Sequence, residues 1–377
     1  MHRPLVACLA VALTTPLLPA DTILVPAGGD IQAAIDLMSD GDTVQLQAGI
    51  YPTSQTLSMR GKSLTLLGVT GSQGQPLSVL DGQGTTRLFL CDEGEGPDCV
   101  FRNLVLRNGF VTDFGGAMYL EDADPTMDNC VFIGNVAEIN EGGAILNFRG
   151  SPTFIDCVFI ENTAKTGGAV RSTGTEAEIT FIDCRFERNH ATNSSGAIRQ
   201  SFGRLVATGC SFIENEAAVG GGIAITGGAS VSLSECTFTR NNCTAEAGVL
   251  RMSAGEVTLS GCTVEGNTTD NLFGGIMNIG GTLLITDSVV CDNDMSQVEG
   301  PYTDGGGNCI SEVCLDCDTC PGDLVGDGDV GGADLTILLN QWGCTGEDCT
   351  ADLDGNGTVD GSDLPIILSA WGDCSSM

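Results

Sequence analysis

The sequence predicts an all-β parallel β-helix solenoid, capped at its N-terminal end by a short helix and followed by a small α-helical module of paired calcium loops. Three observations carry this. A Cys-x-Phe-x-x-Asn phrase recurs from Cys130 to Asn293 at a step of 26 or 27 residues. Apolar residues inside each copy alternate in a way that needs a bend. Two acidic phrases 29 residues apart close the chain.

The phrase places Cys130, Cys157, Cys184, Cys210, Cys236 and Cys262 in one file. Phe132, Phe159, Phe186, Phe212 and Phe238 form a second, with Val264 in the sixth copy, and Asn135, Asn162, Asn189, Asn215, Asn241 and Asn267 a third. Weaker copies flank the block: Asn103, Val105 and Asn108 before it, Ser288, Val290 and Asn293 after it. A fixed period of this size signals a solenoid, and it is too short for helical repeats of about 33 to 47 residues. Phe154, Cys157 and Phe159 differ in parity, so one straight strand cannot bury all three. A bend near Asp156 can, which gives two short strands. Gly168-Ala169-Val170-Arg171 supplies a third. Three strands per turn, stacked at about 4.8 Å, put Phe on Phe, Cys on Cys and each Asn amide within reach of the next. The Gly-Gly pairs suit a tight corner or a close backbone approach.

Phe132-Ile133-Gly134-Asn135, Phe159-Ile160-Glu161-Asn162, Gly142-Gly143-Ala144-Ile145 and Gly167-Gly168-Ala169-Val170 resemble the repeats of the bacterial polymorphic outer-membrane protein (Pmp) family. The resemblance covers about residues 103 to 293 and implies fold more than function. That family's members reach the surface with a terminal membrane barrel, for which this chain has no room.

From the start, residues 1–20 read as a secretory signal: Arg3 supplies the charge, Leu5 to Leu18 the apolar core and Ala20 a small residue before Asp21. A secreted, extracellular or cell-surface location is therefore expected, with no membrane-spanning run in the mature chain. Ile31 to Leu37 is amphipathic and is expected to cap the open end of the solenoid, which runs over 21–310. Gly41 to Leu46, Gly49-Ile50-Tyr51, Lys62 to Leu66 and Val79 to Gly82 continue the first coils. They resemble the N-terminal region of right-handed β-helix proteins related to pectate lyases, which implies a right-handed coil.

The formal charge is −34, and Lys62 and Lys165 are the only lysines. Such a surface repels nucleic acid and anionic membranes and suits divalent cations. The stacked cysteines are read as buried free thiols, with strained bonds between rungs as the alternative. Cys91 and Cys99 bracket an acidic Gly-rich loop and are expected to pair. Residues 311–320, with Cys309, Cys314, Cys317 and Cys320 in or beside them, read as a disulfide-stapled linker; zinc is the alternative.

The module over 321–377 repeats an oxygen-rich register. Its ligands would be Asp323, Asp327, Asp329 and Asp334 in the first loop, and Asp352, Asp354, Asn356, Thr358, Asp360 and Asp363 in the second. Oxygens at positions 1, 3 and 5, Gly at 6 and an acid at 12 suit Ca2+, which takes six to eight oxygen ligands. Val325 at position 3 weakens the first loop. Each loop leads into an apolar helix ending near Trp342 or Trp371. The module resembles a dockerin domain, which implies docking to a cohesin-like protein.

Enzymatic chemistry on such a solenoid would sit on an outer strand file. The file after Gly-Gly is expected to read Tyr119, Leu146, Arg171, Arg199, Ile225, Arg251 and Asn278. Tyr119, Arg171, Arg199 and Arg251 are the candidate carbohydrate-binding residues. Arg171, Arg199 and His190 are the candidate catalytic residues, with His190 and Lys165 in a loop stack as proton acceptors. Glu121, Asp122 and Asp124 read as solvated loop charges. Three functions remain open: a non-catalytic surface, matrix or adhesion protein with a docking module; a polysaccharide lyase or glycoside hydrolase acting on an acidic polysaccharide; or a carbohydrate-binding solenoid without catalysis.

Overall fold

A computed structural model of the chain describes residues 20–246, 248–270, 273–314, 322–325, 329–346, 349–354 and 356–373. The expected leader up to residue 19, and Cys317 and Cys320 of the expected linker, lie outside the described residues.

Each central coil visits four parallel sheets in turn. One coil runs Thr153–Ile155, Val158–Ile160, Thr163–Thr166 and Val170–Thr173. Among the described residues these sheets hold twelve, eleven, seven and ten strands. The expected three strands per coil thus become four. The additional strand, Thr163–Thr166, follows the Asn and pairs with Val136–Glu141 and His190–Ser194 through a register shift. A bulged strand breaks strict alternation, so parity could not reveal it.

The bend at Asp156 is a left-handed residue, with φ of 51°; Asn129, Asp183 and Gly209 hold the equivalent corner at 48°, 53° and 65°. Asn, Asp and Gly adopt this backbone most readily. The preceding weak copy is corrected by one residue. Val131 pairs with Val105 and Phe132 with Leu106, so Leu104, Leu106 and Gly109 occupy the Cys, Phe and Asn places. Asn103 and Asn108 fall instead on left-handed corners, with φ of 59° and 51°. A slip of one residue turns every side chain to the other face.

The core follows the files. Phe132, Phe159, Phe186, Phe212 and Phe238 stack nearly parallel, with centroids 4.5–4.9 Å apart. Phe154 and Phe181 form a second stack at 5.0 Å. Asn135, Asn162, Asn189, Asn215, Asn241 and Asn267 each donate Nδ2 to the next Oδ1 at 2.8–3.0 Å. The ladder ends where Asn293 donates to Gln297 Oε1 at 2.8 Å.

The six stacked cysteines are free and buried. Hydrogen bonding within the file and burial push the Cys210 and Cys236 thiols up to about 12. Alkylation needs an accessible thiolate. The file is therefore expected to stay unlabelled by iodoacetamide in the native state and to react fully in denaturant, as mass spectrometry would read. Native labelling of any one of the six would show an open coil.

Cys91 and Cys99, expected to pair, are free as well. Their loop is closed by Glu95 instead. Its carboxylate, 1% exposed, accepts from Gly61 N at 3.0 Å and Glu93 N at 3.1 Å. Disulfides join Cys291 to Cys314 and Cys344 to Cys349, and Cys309 is also disulfide-bonded.

At the N-terminal end, helix α1 (Ile31–Leu37) begins at Asp30, whose side chain accepts from Ala33 N. Ile31, Ala34 and Ile35 are buried, and the helix packs on Thr22–Val25, Thr43–Leu46 and Leu57–Ser58. Lys62 Nζ donates to the carbonyls of Ile35, Asp36 and Met38 at 2.7–3.1 Å, satisfying the last turn. The C-terminal part has its own small core, in which Val330 and Leu338 are matched 29 residues later by Val359 and Ile367. It carries helices α2 (Gly332–Asn340) and α3 (Leu364–Ser369). Among the described residues no helix is long and apolar enough to cross a membrane.

Candidate functional site

Two constellations stand out, one in the C-terminal loops and one on the ten-stranded sheet. In the second loop, carboxylate oxygens of Asp352, Asp354 and Asp363 lie within 4.8 Å of one another. Asp363 is fully buried. Its Oδ1 accepts from Leu353 N and Asp354 N at 2.7 and 3.1 Å, and its Oδ2 from Asp360 N at 2.8 Å. Asp352 Oδ2 accepts from Gly357 N at 2.8 Å, whereas Oδ1 is buried with no hydrogen-bond partner. An orphaned carboxylate oxygen among like charges is costly, and a hard cation removes that cost. Asn356 and Asp360 act as braces. Asn356 Nδ2 donates to Asp354 Oδ2 and Ser362 Oγ, both at 2.9 Å, and Asp360 Oδ1 accepts from Ser362. Thr358 bridges to Thr345.

The first loop repeats the same frame. Asp334, 1% exposed, accepts from Val325 N at 3.0 Å and Gly331 N at 2.7 Å, as Asp363 does from Asp354 and Asp360. Asp329 starts the strand Asp329–Val330, which pairs with Gly372–Asp373, and Asp323 precedes it. Asp327 lies outside the described residues. Val325 stands where Asp354 stands in the second loop and offers no oxygen from its side chain.

Burial works against ionisation of Asp334, but the N–H groups of Gly331 and Val325 outweigh it and hold its carboxyl below the usual range. A carboxyl depressed in the folded state contributes stability above its unfolded value, near 3.9, and loses it as pH falls through the folded value. The module is expected to loosen below about pH 4. Both tryptophans of the chain, Trp342 and Trp371, lie in it, so their fluorescence reports it alone. An emission maximum unchanged from about pH 5 to 2 would contradict this.

On the ten-stranded sheet, register gives the outward file as Tyr119, Leu146, Arg171, Arg199, Ala224, Arg251 and Met277. Ile225 and Asn278, expected in it, point inward at 0% and 3% exposure. The cause is a glycine in the place of Ala197: Gly222 in one coil and Gly275 in another, so counting from the Gly-Gly pair lands one residue late.

Arg171 is satisfied. Its Nε donates to Glu141 Oε2 at 2.9 Å and its Nη1 to Ser172 O at 2.7 Å. Arg199 differs: Nη1 donates to Ser194 Oγ at 2.5 Å and Nη2 to Thr226 Oγ1 at 3.5 Å, while Nε is buried without a partner. Burial, and then Arg171 beside it, lower its pKa. Tyr119 belongs to another group. Its hydroxyl donates to Glu121 Oε2 at 3.0 Å, and the Arg87 guanidinium lies 5.3 Å from its ring centroid. Glu121 and Asp122 are ion-paired to Arg149, and Asp124 accepts from Ser151 N. Those acids are therefore engaged, not merely solvated.

His190 and Lys165 lie on strands of the seven-stranded sheet, not in a loop stack. His190 pairs with Thr163 and Glu216. Ser194, which does reach Arg199, is four residues further on, about 13 Å at the usual rise per residue. The structure does not bring His190 to the arginines. Ser194, Thr226 and Glu141 escape sequence reasoning because two of them sit on bulged strands, where spacing carries no face.

The family described as right handed beta helix region matches residues 168–314, within the solenoid. Among solved structures, the pectate lyase Pel9A is similar at 14% identity and a TM-score of 0.33, covering 91% of this chain and 90% of that one. At that level the likeness says nothing of activity. No curated protein matches the chain.

Proposed function

We propose that this chain is an exported, non-catalytic β-helix protein whose C-terminal module binds calcium and docks a partner. The convergence of Asp352, Asp354 and Asp363 around an unpartnered Asp352 oxygen carries this reading. Calcium would neutralise the three carboxylates and hold the loop against α3. Disulfides at Cys291–Cys314 and Cys344–Cys349 suit an oxidising compartment, as a secreted protein requires. Helix α1 serves as the cap of the solenoid. Leu339 with Trp342, and Leu368 with Trp371, lie 29 residues apart and are each about half exposed, so the two units offer matching apolar faces. A dockerin-like module would present such faces to a cohesin-like partner. The enzymatic alternative is weaker, because Glu141 already neutralises Arg171 and His190 stands apart from the arginine file.

Calorimetric titration of the mature chain with calcium tests this. One tighter site in the second loop and a weaker one in the first are expected, and Asp363→Ala with Asp352→Asn should abolish the tighter one. No heat at millimolar calcium would overturn the docking reading. New unsaturated or reducing ends from pectin or alginate would overturn the non-catalytic one.

A further inference from the structure

Ion pairing on the solenoid follows a rule that Arg199 breaks. Arg102, Arg107, Arg188, Arg204 and Arg240 each pair with an acid one rung away: Asp128, Asp81, Glu161, Glu178 and Glu214. Arg171 reaches back to Glu141. Arg199 meets only the hydroxyls of Ser194 and Thr226, and among the described residues no carboxylate lies within ion-pair distance of it. Its neighbours in the file are cations: Arg171 on the rung before, and Arg251 two rungs on, across Ala224. Both repel it.

Two polar atoms beside Arg199 are buried without a hydrogen-bond partner. One is its own Nε. The other is Ser195 Oγ, on a residue that is fully buried. Ser195 stands where Gly167 and Gly220 stand in the adjoining coils, and all three are left-handed, with φ of 63°, 64° and 65°. A Cβ added at Gly220 would lie 3.2 Å from Ala224 Cβ, in its own coil, and 3.6 Å from Arg251 Cβ, on the following rung. The same geometry sets the Ser195 side chain beside Arg199 and toward Ala224. Ala224 is the smallest residue of the outward file, yet it is fully buried, so longer neighbours close over its methyl. The two unpartnered donors thus flank one covered spot. A buried donor without a protein partner points to water or an ion. Charge decides between them: water would satisfy the N–H and the hydroxyl but leave the cation uncompensated, whereas an anion does both.

We infer that a monatomic inorganic anion, a halide such as chloride, is held beneath the Arg199 guanidinium, accepting from Arg199 Nε and Ser195 Oγ over the Ala224 methyl. Burial of both donors sets the size limit, since an acid carried on a larger molecule cannot reach atoms that the surface covers. A guanidinium is less strongly hydrated than an ammonium, so it exchanges water for a halide readily. The ion's role is structural. It offsets the mutual repulsion of Arg171, Arg199 and Arg251, and a ligand bound by the folded coils alone stabilises them. The site is independent of the calcium loops and involves no change in covalent bonds.

The test titrates the full chain with sodium chloride and reads the line width of the chlorine nuclear magnetic resonance. Broadening that bromide reverses and sulfate does not is expected. Arg199→Gln should weaken chloride about tenfold or more, the worth of a hydrogen bond to a charged group. Ser195→Gly gives that coil the residue its neighbours already carry there, and should weaken chloride about threefold or more while the coil stays folded. Arg204→Gln, which removes an exposed cation paired to Glu178, should bind as wild type does. Circular dichroism checks each fold, and Ser195→Gly decides if Arg199→Gln fails to fold. Crystals soaked in bromide should show an anomalous peak beside Arg199 Nε. A wild-type line no broader than those of the Arg199 and Ser195 variants would overturn the proposal. So would displacement by sulfate as effective as by bromide, or bromide-soaked crystals with no peak at that atom.

Discussion

Asn215→Ala is expected to cost about 4 kcal/mol, because it takes a partner from several buried groups at once at about 1–3 kcal/mol each. The Asn215 side chain is fully buried. Its Oδ1 accepts from Asn189 N at 3.0 Å and Asn189 Nδ2 at 2.9 Å, and its Nδ2 donates to Phe186 O and Asn241 Oδ1, both at 2.9 Å. Alanine leaves the Asn189 N–H with no partner and strips the Phe186 carbonyl and the Asn189 Nδ2 of one partner each, beside a stack walled by Phe186 and Phe212. Because a solenoid's stability is close to a sum of neighbour terms, the loss should appear as an earlier, separate phase in urea unfolding. Gln297→Ala, at the ladder's end, takes the acceptor from the Asn293 N–H and a donor from the Asn293 carbonyl, while Asn293 Nδ2 keeps Val264 O. A loss below about 1 kcal/mol at Asn215 would mean that water replaces the amide.

The files that fix this architecture were legible because stacking demands like on like. Phe on Phe and Asn on Asn repeat in sequence as faithfully as in space, and the bend at Asp156 followed from parity alone. What stayed hidden was the part where period and parity are decoupled. The strand Thr163–Thr166 carries a bulge, so no alternation announced it. Gly222 and Gly275, standing where earlier coils have Ala, shifted the expected outward file to Ile225 and Asn278. Asn103 and Asn108 look like ladder residues but serve as left-handed corners, since asparagine suits both tasks.

The two candidate sites divide in the same way. The cluster of Asp352, Asp354 and Asp363 was legible because a repeated loop register sets its acids at fixed offsets. Asn356 and Asp360, expected as ligands, make their contacts with Ser362 and Asp354 instead. The arginine line was legible only as three basic residues in a chain poor in positive charge. What distinguishes Arg199 from Arg171 is that Glu141 reaches one and not the other: in the next coil Thr166 stands in register where Glu141 stands, so the rung before Arg199 has no acid there.

Gly168→Ala is expected to be among the most damaging single methyl additions in a central coil, costing about 3 kcal/mol or more through overpacking against backbone. Its added Cβ would lie 2.2 Å from Gly196 O and 2.7 Å from His190 O. Both oxygens are main-chain atoms of the next coil, so neither can rotate away. The neighbouring Gly167 is left-handed, with φ of 64°, and its Cβ would meet Val170 O at 2.4 Å. Yet the next coil holds Ser195 at that place, with φ of 63°, so a side chain is tolerated there. Gly167→Ala should therefore cost only the left-handed penalty of about 1–2 kcal/mol. The second glycine recurs as Gly116, Gly143, Gly168, Gly196 and Gly221, and at each an added methyl would come within 2.6 Å of a backbone oxygen. Close approach, not backbone conformation, is thus what the second position selects. Urea midpoints for the two variants decide between these causes: equal losses would mean that conformation governs both positions, and a larger loss at Gly168 that packing between coils governs the second.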